Sequence, residues 1–305
     1  MLATTLMLSA TLALGMPMQD HDGHSHDGTD PFGVFLAHNS DAICTVSFIL
    51  EISGGQMDTE LPMEATGTLV SRDGMVMLSS SSMDMANRMN NSRRGRGGRG
   101  GGGGGGGGEG MNIEAEPVDI RVMIGSDFDE YDAQLIAKDS SLGLAFVKID
   151  DYEALSDIPP VTFMTPDRMR VGEEVFGINR MNEGHDYAPY IGWTRISGRV
   201  EQPRLMWSVT SGFSGRGLPL FNMYGQAIGV LTNQRSEAEA PRGGRGGGGR
   251  GMGMMGGGGG GGGGGGVFLI PSKDINEVLE RVRKKDTESE GETDDNEPAI
   301  ETESD

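Results

Sequence analysis

Short apolar runs separated by turn-forming residues recur along most of the chain. Four such runs are rich in β-branched and apolar residues and are bounded by Gly, Asp, Pro or Ser: 42–50, 120–124, 145–149 and 227–231. This pattern predicts the strands of an all-β sandwich or barrel. Asp73-Gly74 and Tyr224-Gly225 each separate two apolar runs, and glycine adopts at little cost the positive φ that hairpin turns require.

One helical pattern stands out near the end of the chain. Ser272 can cap a helix whose apolar residues recur at i, i+3, i+4 and i+7, namely Ile275, Val278, Leu279 and Val282. A stripe of this kind buries one face of a helix against a neighbouring layer. The pattern therefore predicts a C-terminal helix packed on the β domain.

Three segments carry recognisable motifs: 65–74 is ATGTLVSRDG, 131–150 is YDAQLIAKDSSLGLAFVKID and 215–222 is GRGLPLFN. They resemble the active-site neighbourhoods of HtrA/Deg-type serine proteases, a family of the PA clan. Segment 65–74 resembles the family's GSGVIIS-x-DG hairpin. Segment 131–150 resembles YDA-x-VV-x-RD-x-x-TDLALLKID, and segment 215–222, GRGLPLFN, resembles NSGGPLLN. Three more segments match family strands in the same order: 170–179, 225–232 and 267–272. The resemblance implies a trypsin-like double six-stranded β-barrel, with the C-terminal helix on the second barrel.

The resemblance also implies that all three catalytic residues are missing. Ser81 stands where the family has the general-base His, Gly143 where it has the orienting Asp, and Arg216 where it has the nucleophilic Ser. A serine hydroxyl needs a hydrogen-bonded imidazole to take its proton, and the imidazole needs a carboxylate to fix its tautomer. Serine has no suitable proton affinity near neutral pH. We therefore expect an inactive homologue of these proteases.

Ser214 offers an alternative, because it lies two residues before Arg216 and could act as a displaced nucleophile. The backbone of Ser214, Gly215 and Arg216 corresponds to the family's oxyanion loop. A general base is lacking, because His185 falls in a polar turn, 182–186, and is interpreted as a solvated loop residue. The other histidines precede the first strand: His21, His24, His26 and His38. An active serine-type endopeptidase remains the second hypothesis.

Glycine composition divides the chain. Its 305 residues include 53 glycines, concentrated in 95–110 and 243–266. Polyglycine has no side chains to bury and loses the most backbone entropy on ordering, so disordered loops are expected there. The predicted organisation is one protease-like domain, 34–285, followed by an acidic disordered tail, 286–305. Its parts are barrel 1 at about 34–152 with an insert at 93–110, and barrel 2 with the helix at about 160–285 with an insert at 242–266.

The first residues are typical of an export signal. Segment 2–14 is apolar and too short to span a bilayer comfortably, and small residues follow at Ala13 and Gly15. We expect a signal peptide at 1–15 and a His/Asp-rich linker at 16–33. The single cysteine, Cys44, excludes an intrachain disulfide and is expected to be a buried strand residue. The predicted location is the bacterial periplasm or the extracellular space.

Two polar segments suggest ligands. His21, His24 and His26 alternate with aspartates, as in a flexible Zn, Cu or Ni site, but no rigid scaffold fixes their geometry, so we expect a solvated linker and no cofactor. Segments 93–101 and 242–246 resemble RGG boxes, which bind RNA through arginine charge and stacking. A net charge of −20 and the lack of aromatics in these tracts argue against nucleic acid. A polyanion binder is the third hypothesis.

The favoured partner is an extended peptide or unfolded protein segment. Such a peptide can add to a sheet edge through main-chain hydrogen bonds, which do not depend on a catalytic triad. Phe32 and Phe35 are similar to the aromatic N-terminal segment that joins HtrA trimers. The resemblance therefore implies a homo-oligomer or association with an active HtrA-type protease.

Overall fold

The structure is a computed structural model. It describes residues 30–53, 58–83, 114–125, 129–155, 157–166, 169–210, 212–234 and 266–293. The predicted signal peptide, residues 16–29 of the predicted linker, the first glycine-rich insert and the second insert up to residue 265 lie outside these ranges.

Twelve strands form two closed antiparallel barrels, which confirms the predicted trypsin-like double six-stranded β-barrel. The first barrel has the order β1-β2-β3-β6-β5-β4 and the second has the order β10-β11-β12-β9-β8-β7. The first barrel comprises β1 (Ile43–Ser53), β2 (Thr59–Leu69), β3 (Met75–Ser79), β4 (Glu114–Met123), β5 (Glu130–Asp139) and β6 (Leu144–Ile149). The second comprises β7 (Glu174–Arg180), β8 (Pro189–Val200), β9 (Met206–Val209), β10 (Pro219–Asn222), β11 (Ala227–Gln234) and β12 (Gly266–Pro271).

The turns and strands form for the reasons that the sequence suggested. All four apolar runs lie in strands apart from their end residues Ala42 and Ile124, and their apolar side chains fill the two cores. Gly74 and Gly225 have φ of 85° and 77°, which confirms the predicted turn positions. Cys44 is fully buried in β1, and this burial raises the pKa of its thiol to about 12. The cysteine therefore packs as a small apolar side chain.

The C-terminal helix, α2 (Ser272–Thr293), touches both barrels. Its four predicted apolar residues are buried, and it lies against β11 and β12 as expected. It also contacts the first barrel, because Arg281 pairs with Asp139 at 3.2 Å and Asp286 pairs with Lys148 at 2.7 Å. The helix thus continues past residue 285, where the sequence predicted a disordered tail. Within the described ranges, no helix is long and apolar enough to cross a membrane.

The first helix, α1 (Pro31–Asn39), begins inside the segment that the sequence predicted to be linker. Asp30 caps it by accepting a hydrogen bond from the amide of Phe32 at 3.1 Å. Phe32 packs edge-on against Trp193 with ring centroids 4.6 Å apart, and Phe35 packs against Phe176 at 5.0 Å. Both phenylalanines therefore contact the chain's own second barrel.

The side chain of Arg180, at the end of β7, ties the two barrels together. Its guanidinium donates hydrogen bonds to the backbone carbonyls of Ile43, of Ser40 at 2.9 Å and of Gly125 at 3.2 Å, all beside the first barrel. A fourth bond reaches the carbonyl of Tyr187 at 3.3 Å. Burial lowers the pKa of Arg180, but arginine stays charged at neutral pH. A charged donor group thus satisfies several carbonyls at the interface.

We expect Arg180→Met to lower the free energy of unfolding by about 2 to 3 kcal/mol, because carbonyls at the barrel interface would lose their donors. The matched control is Arg195→Met. Arg195 lies exposed on β8 and pairs with Glu174, so its loss should change stability by about 0.5 kcal/mol or less. Urea unfolding measures the free energy of unfolding of both variants. Equal effects of the two substitutions would show that Arg180 does not hold the barrels together.

Candidate functional site

A cleft of about 290 Å³ lies between the barrels and contains four of the residues that the sequence singled out. Ser81 lines it from the first barrel, and Ser214, Gly215 and Arg216 line it from the second. Further polar residues complete the lining: Thr66, Ser79, Ser82, Asn179 and Glu64. The fold thus brings together sequence positions that are more than a hundred residues apart.

Ser81 lies directly after the buried strand β3. The chain ends β3 at Ser79 and then forms a short 3-10 helix, Ser80–Ser82, which turns the Ser81 side chain into the cleft. The hydroxyl oxygens of Ser79 and Ser81 form a hydrogen bond of 2.8 Å. A pair of hydroxyls can exchange hydrogen bonds with a ligand, but it cannot accept a proton as an imidazole does.

Gly143 is adjacent to this segment. Its carbonyl accepts a hydrogen bond from the amide of Ser80 at 3.0 Å, which places it beside Ser81 as the resemblance implies. Its φ is 71°, in the left-handed region that disfavours most side chains. The position that would hold the orienting carboxylate of a protease is therefore a backbone turn.

Asp139 shapes the turn that carries Gly143. Its carboxylate accepts hydrogen bonds from the Ser141 hydroxyl at 2.6 Å and from the amides of Ser141 and Leu142 at 2.9 and 3.0 Å. Burial alone would raise the pKa of Asp139, but these bonds and the charge of Arg281 outweigh it, so the pKa lies below its usual value. Asp139 thus stabilises this wall of the site in its ionised form.

Glycines hold the 213–218 loop against the second barrel. The ring of Phe213 is buried against Gly177, Gly192 and Gly215, where an added Cβ would lie 2.5, 2.3 and 2.5 Å from ring atoms. Real Cβ contacts are not this short, so only glycine fits at these three positions without a shift of the ring. The aromatic ring therefore fixes the loop that carries Ser214 and Arg216.

Gly217 presses the same loop against the first barrel. Its φ is 81°, and an added Cβ would lie 2.3 Å from the backbone nitrogen of Ser79. Its amide donates to the carbonyl of Leu231 at 2.7 Å. The contact brings Arg216 close to the serine-rich segment of the opposite barrel.

The amide that would form half of an oxyanion hole is already engaged. A trypsin-like hole uses the amide of the nucleophile and that of the residue two positions before it, here Arg216 and Ser214. In this structure the Arg216 amide donates to the Ser214 carbonyl at 2.9 Å. This internal hydrogen bond occupies the Arg216 amide, so the oxyanion hole is not formed in this conformation.

The described histidines do not supply a base. His185 lies exposed in a short 3-10 helix, Glu183–His185, and its Nδ1 bonds the side-chain oxygen of Asn182 at 2.9 Å. His38 is exposed on α1. Ser214 is exposed in the cleft, but its hydroxyl has no imidazole, lysine or carboxylate partner among the described residues. The metal candidates His21, His24 and His26 lie outside those residues.

Sequence reasoning did not identify Asn179, Glu64 or Tyr187 as part of the site. Asn179 is buried at the end of β7 and donates to the hydroxyl of Tyr190 at 3.0 Å. The Tyr187 hydroxyl donates to Glu64 at 3.0 Å, and partial desolvation together with this carboxylate raises the pKa of Tyr187 to about 12. Both pairs join residues from different strands or loops, so local patterns gave no signal for them.

The end of β11 offers an open strand edge beside the loop. Pairing between β10 and β11 covers 227–230 of β11, whereas Asn233 and Gln234 pair only with β12 in the described ladders. The carbonyl of Asn233 lies 3.8 Å from where a Cβ on Gly143 would stand, so this edge faces the first barrel. The Asn233 side-chain oxygen is buried and lacks a hydrogen-bond partner within the described ranges.

A larger cavity of about 820 Å³ lies at the rim of the first barrel. Its lining is rich in carboxylates: Glu51, Asp58, Glu60, Glu114 and Glu116. No group of three or more His, Cys, Asp or Glu in the described residues is arranged to hold a metal ion. The rim cavity is therefore an acidic part of the surface.

A scan against protein-family models finds no match to the chain, and a search of curated proteins finds none either. The two closed barrels are consistent with a trypsin-like fold. A closer relationship to HtrA-type proteases depends on the motifs described above.

The lowered pKa of Asp139 predicts acid sensitivity. Its stabilising effect is present above the unfolded-state pKa, which is near 3.8, and is lost as the pH falls through the lower folded-state value. Stability should therefore fall less steeply in Asp139→Asn than in the unmodified protein between about pH 5 and pH 2. Asp132→Asn, at a side chain 83% exposed, is the control. Urea unfolding across this range measures the slopes, and identical slopes for Asp139→Asn and the unmodified protein would contradict the assignment.

Restoring only the nucleophile, with Arg216→Ser, should leave the protein inactive. The triad residues act as a unit, so a serine without a base gains little, and the amide at this position is turned away from an incoming oxyanion. Hydrolysis of a fluorescent unfolded protein measures the outcome. Robust proteolysis by this single variant would show that another residue already serves as the base.

Proposed function

We propose that this protein is a catalytically inactive homologue of HtrA-type serine proteases that binds an extended peptide in the cleft between its barrels. The observation that carries the proposal is the convergence of the three triad-equivalent regions. Ser81 and Arg216 line one cleft, and Gly143 is hydrogen-bonded to the residue before Ser81. None of the three side chains can perform the role that its position has in a protease.

The loss of catalysis follows from proton chemistry. Attack by a serine hydroxyl requires a base within hydrogen-bond reach, and the described residues place hydroxyls, an amide, a guanidinium and one carboxylate, that of Glu64, around the cleft. Glu64 accepts a hydrogen bond from Tyr187, and the Ser214 hydroxyl has no carboxylate partner among the described residues. A guanidinium stays protonated and cannot act as that base. The engaged amide of Arg216 removes a donor that would stabilise the tetrahedral intermediate. The cleft can therefore bind a peptide without hydrolysing it.

Peptide binding is supported by the open end of β11. Barrel closure removes most sheet edges, and Asn233 and Gln234 are an exception that lies next to the 214–218 loop. An extended peptide can pair with such an edge through main-chain hydrogen bonds, while the adjoining cleft receives its side chains. The partner class is an unfolded or extended protein segment.

The second candidate is an active serine endopeptidase with Ser214 as nucleophile. It is favoured by the exposure of Ser214 in the cleft beside Gly215. It requires a base from outside the described residues. The polyanion-binding hypothesis concerns the arginine-glycine segments, which also lie outside them. Export to the periplasm or extracellular space, and assembly with itself or with an active HtrA-type protease, remain predictions from the sequence.

Two measurements test the proposal. A fluorophosphonate probe should leave the protein unlabelled, and labelling that disappears in Ser214→Ala would establish the endopeptidase instead. Anisotropy of labelled, unfolded peptides should show binding that Ser214→Trp weakens by filling the cleft. Ser197→Trp, at an exposed serine on β8, is the control and should bind normally. Peptide binding that Ser214→Trp leaves unchanged would place the binding surface elsewhere.

A further inference from the structure

Arg216 carries a charge into the cleft that the rest of the described structure does not neutralise. Its side chain is exposed and forms neither an ion pair nor a hydrogen bond with any described residue. Several other arginines on the surface are paired with carboxylates, as Arg195 is with Glu174 and Arg121 with Glu130. The one carboxylate that lines the cleft among the described residues, Glu64, accepts a hydrogen bond from Tyr187.

The groups opposite Arg216 are serine hydroxyls, which can donate hydrogen bonds to a carboxylate. Ser79 and Ser81 share one hydrogen bond of 2.8 Å, which uses one of their two hydroxyl hydrogens and leaves the other for a ligand. Ser82 lines the same wall. Gly217, the residue after Arg216, touches the backbone of Ser79, so the guanidinium and these hydroxyls belong to one small volume.

A planar guanidinium suits a carboxylate better than any neutral group. Its N–H donors match the two carboxylate oxygens in a forked geometry, and hydrogen bonds between charged partners are about twice as strong as those between neutral ones. A ligand amide of the same shape would pair with only part of this donor set. A serine at position 216 would not provide the forked pair of N–H donors.

The net charge of −20 does not exclude an acidic ligand. At physiological ionic strength, charges farther away than about 8 Å are largely screened, whereas a contact pair is screened much less. The distant carboxylates therefore slow the approach of an acidic peptide more than they weaken its final contact with Arg216.

We propose that Arg216 selects extended peptides that place a carboxylate at this point of the cleft, either as an internal Asp or Glu side chain or as a C-terminal carboxylate. This inference rests on the proposed peptide-binding function and specifies its ligand. The open edge of β11 binds the main chain of the peptide, and Arg216 and the serine hydroxyls bind its carboxylate.

Anisotropy with the full chain and four short labelled peptides tests this selection. One pair differs only by Glu or Gln at a central position, with both ends blocked. The other pair ends at that position with a free carboxylate or with an amide. We expect at least one acidic peptide to bind roughly tenfold more tightly than its neutral partner, which corresponds to about 1.4 kcal/mol. The pair that shows the preference identifies the source of the carboxylate.

Two variants assign the preference to Arg216. Arg216→Gln should bind acidic and neutral peptides equally, whereas Arg195→Gln removes the same charge from an exposed site on β8 and should keep the preference. Equal affinities of the unmodified protein for all four peptides, or a preference that survives in Arg216→Gln, would overturn the role of Arg216 while leaving peptide binding intact. Failure of all four peptides to bind would overturn the proposed function itself.

Discussion

The relative placement of the two barrels depends on the guanidinium of Arg180. Hydrogen bonds from this group to the carbonyls of Ser40, Ile43 and Gly125 join the end of β7 to the first barrel. Carbonyl groups at such an interface need donors, since an unpaired polar group costs more free energy than a typical hydrogen bond contributes. Asn179, the preceding residue, lines the cleft. These hydrogen bonds therefore lie directly beside the candidate site.

In the proposed function, the cleft is a rigid binding site that lacks the chemistry of a protease. The Asp139 turn, the Phe213 ring against three glycines and the close approach of Gly217 to Ser79 each fix one wall. These contacts are made by backbone atoms and by side chains that do not take part in proton transfer. The proposed function is compatible with this framework, with Ser81, Gly143 and Arg216 at the triad-equivalent positions, because neither barrel needs a triad to fold.

In the proposal, an arginine at the nucleophile-equivalent position determines what the cleft recognises. A serine in this position would act on a peptide carbonyl, whereas Arg216 presents a fixed positive charge beside hydroxyl donors. In the proposal, a peptide held along Asn233 and Gln234 reaches this charge through the adjoining cleft. The proposed ligand thus depends on Arg216, whereas the proposed function also depends on Ser81 and Gly143 at the other two triad-equivalent positions.

The sequence by itself determined the strands, the turns at Gly74 and Gly225 and the helix from Ser272, because alternation, glycine conformation and helical periodicity are local properties. Its motif order also predicted the double barrel. It misplaced the end of the helix, since the pairing of Asp286 with Lys148 joins residues far apart in the chain. Only the tertiary structure decided the Arg180 clamp, the engaged Arg216 amide and the open edge of β11. These features depend on backbone groups from different segments meeting in space, which a one-dimensional pattern does not encode.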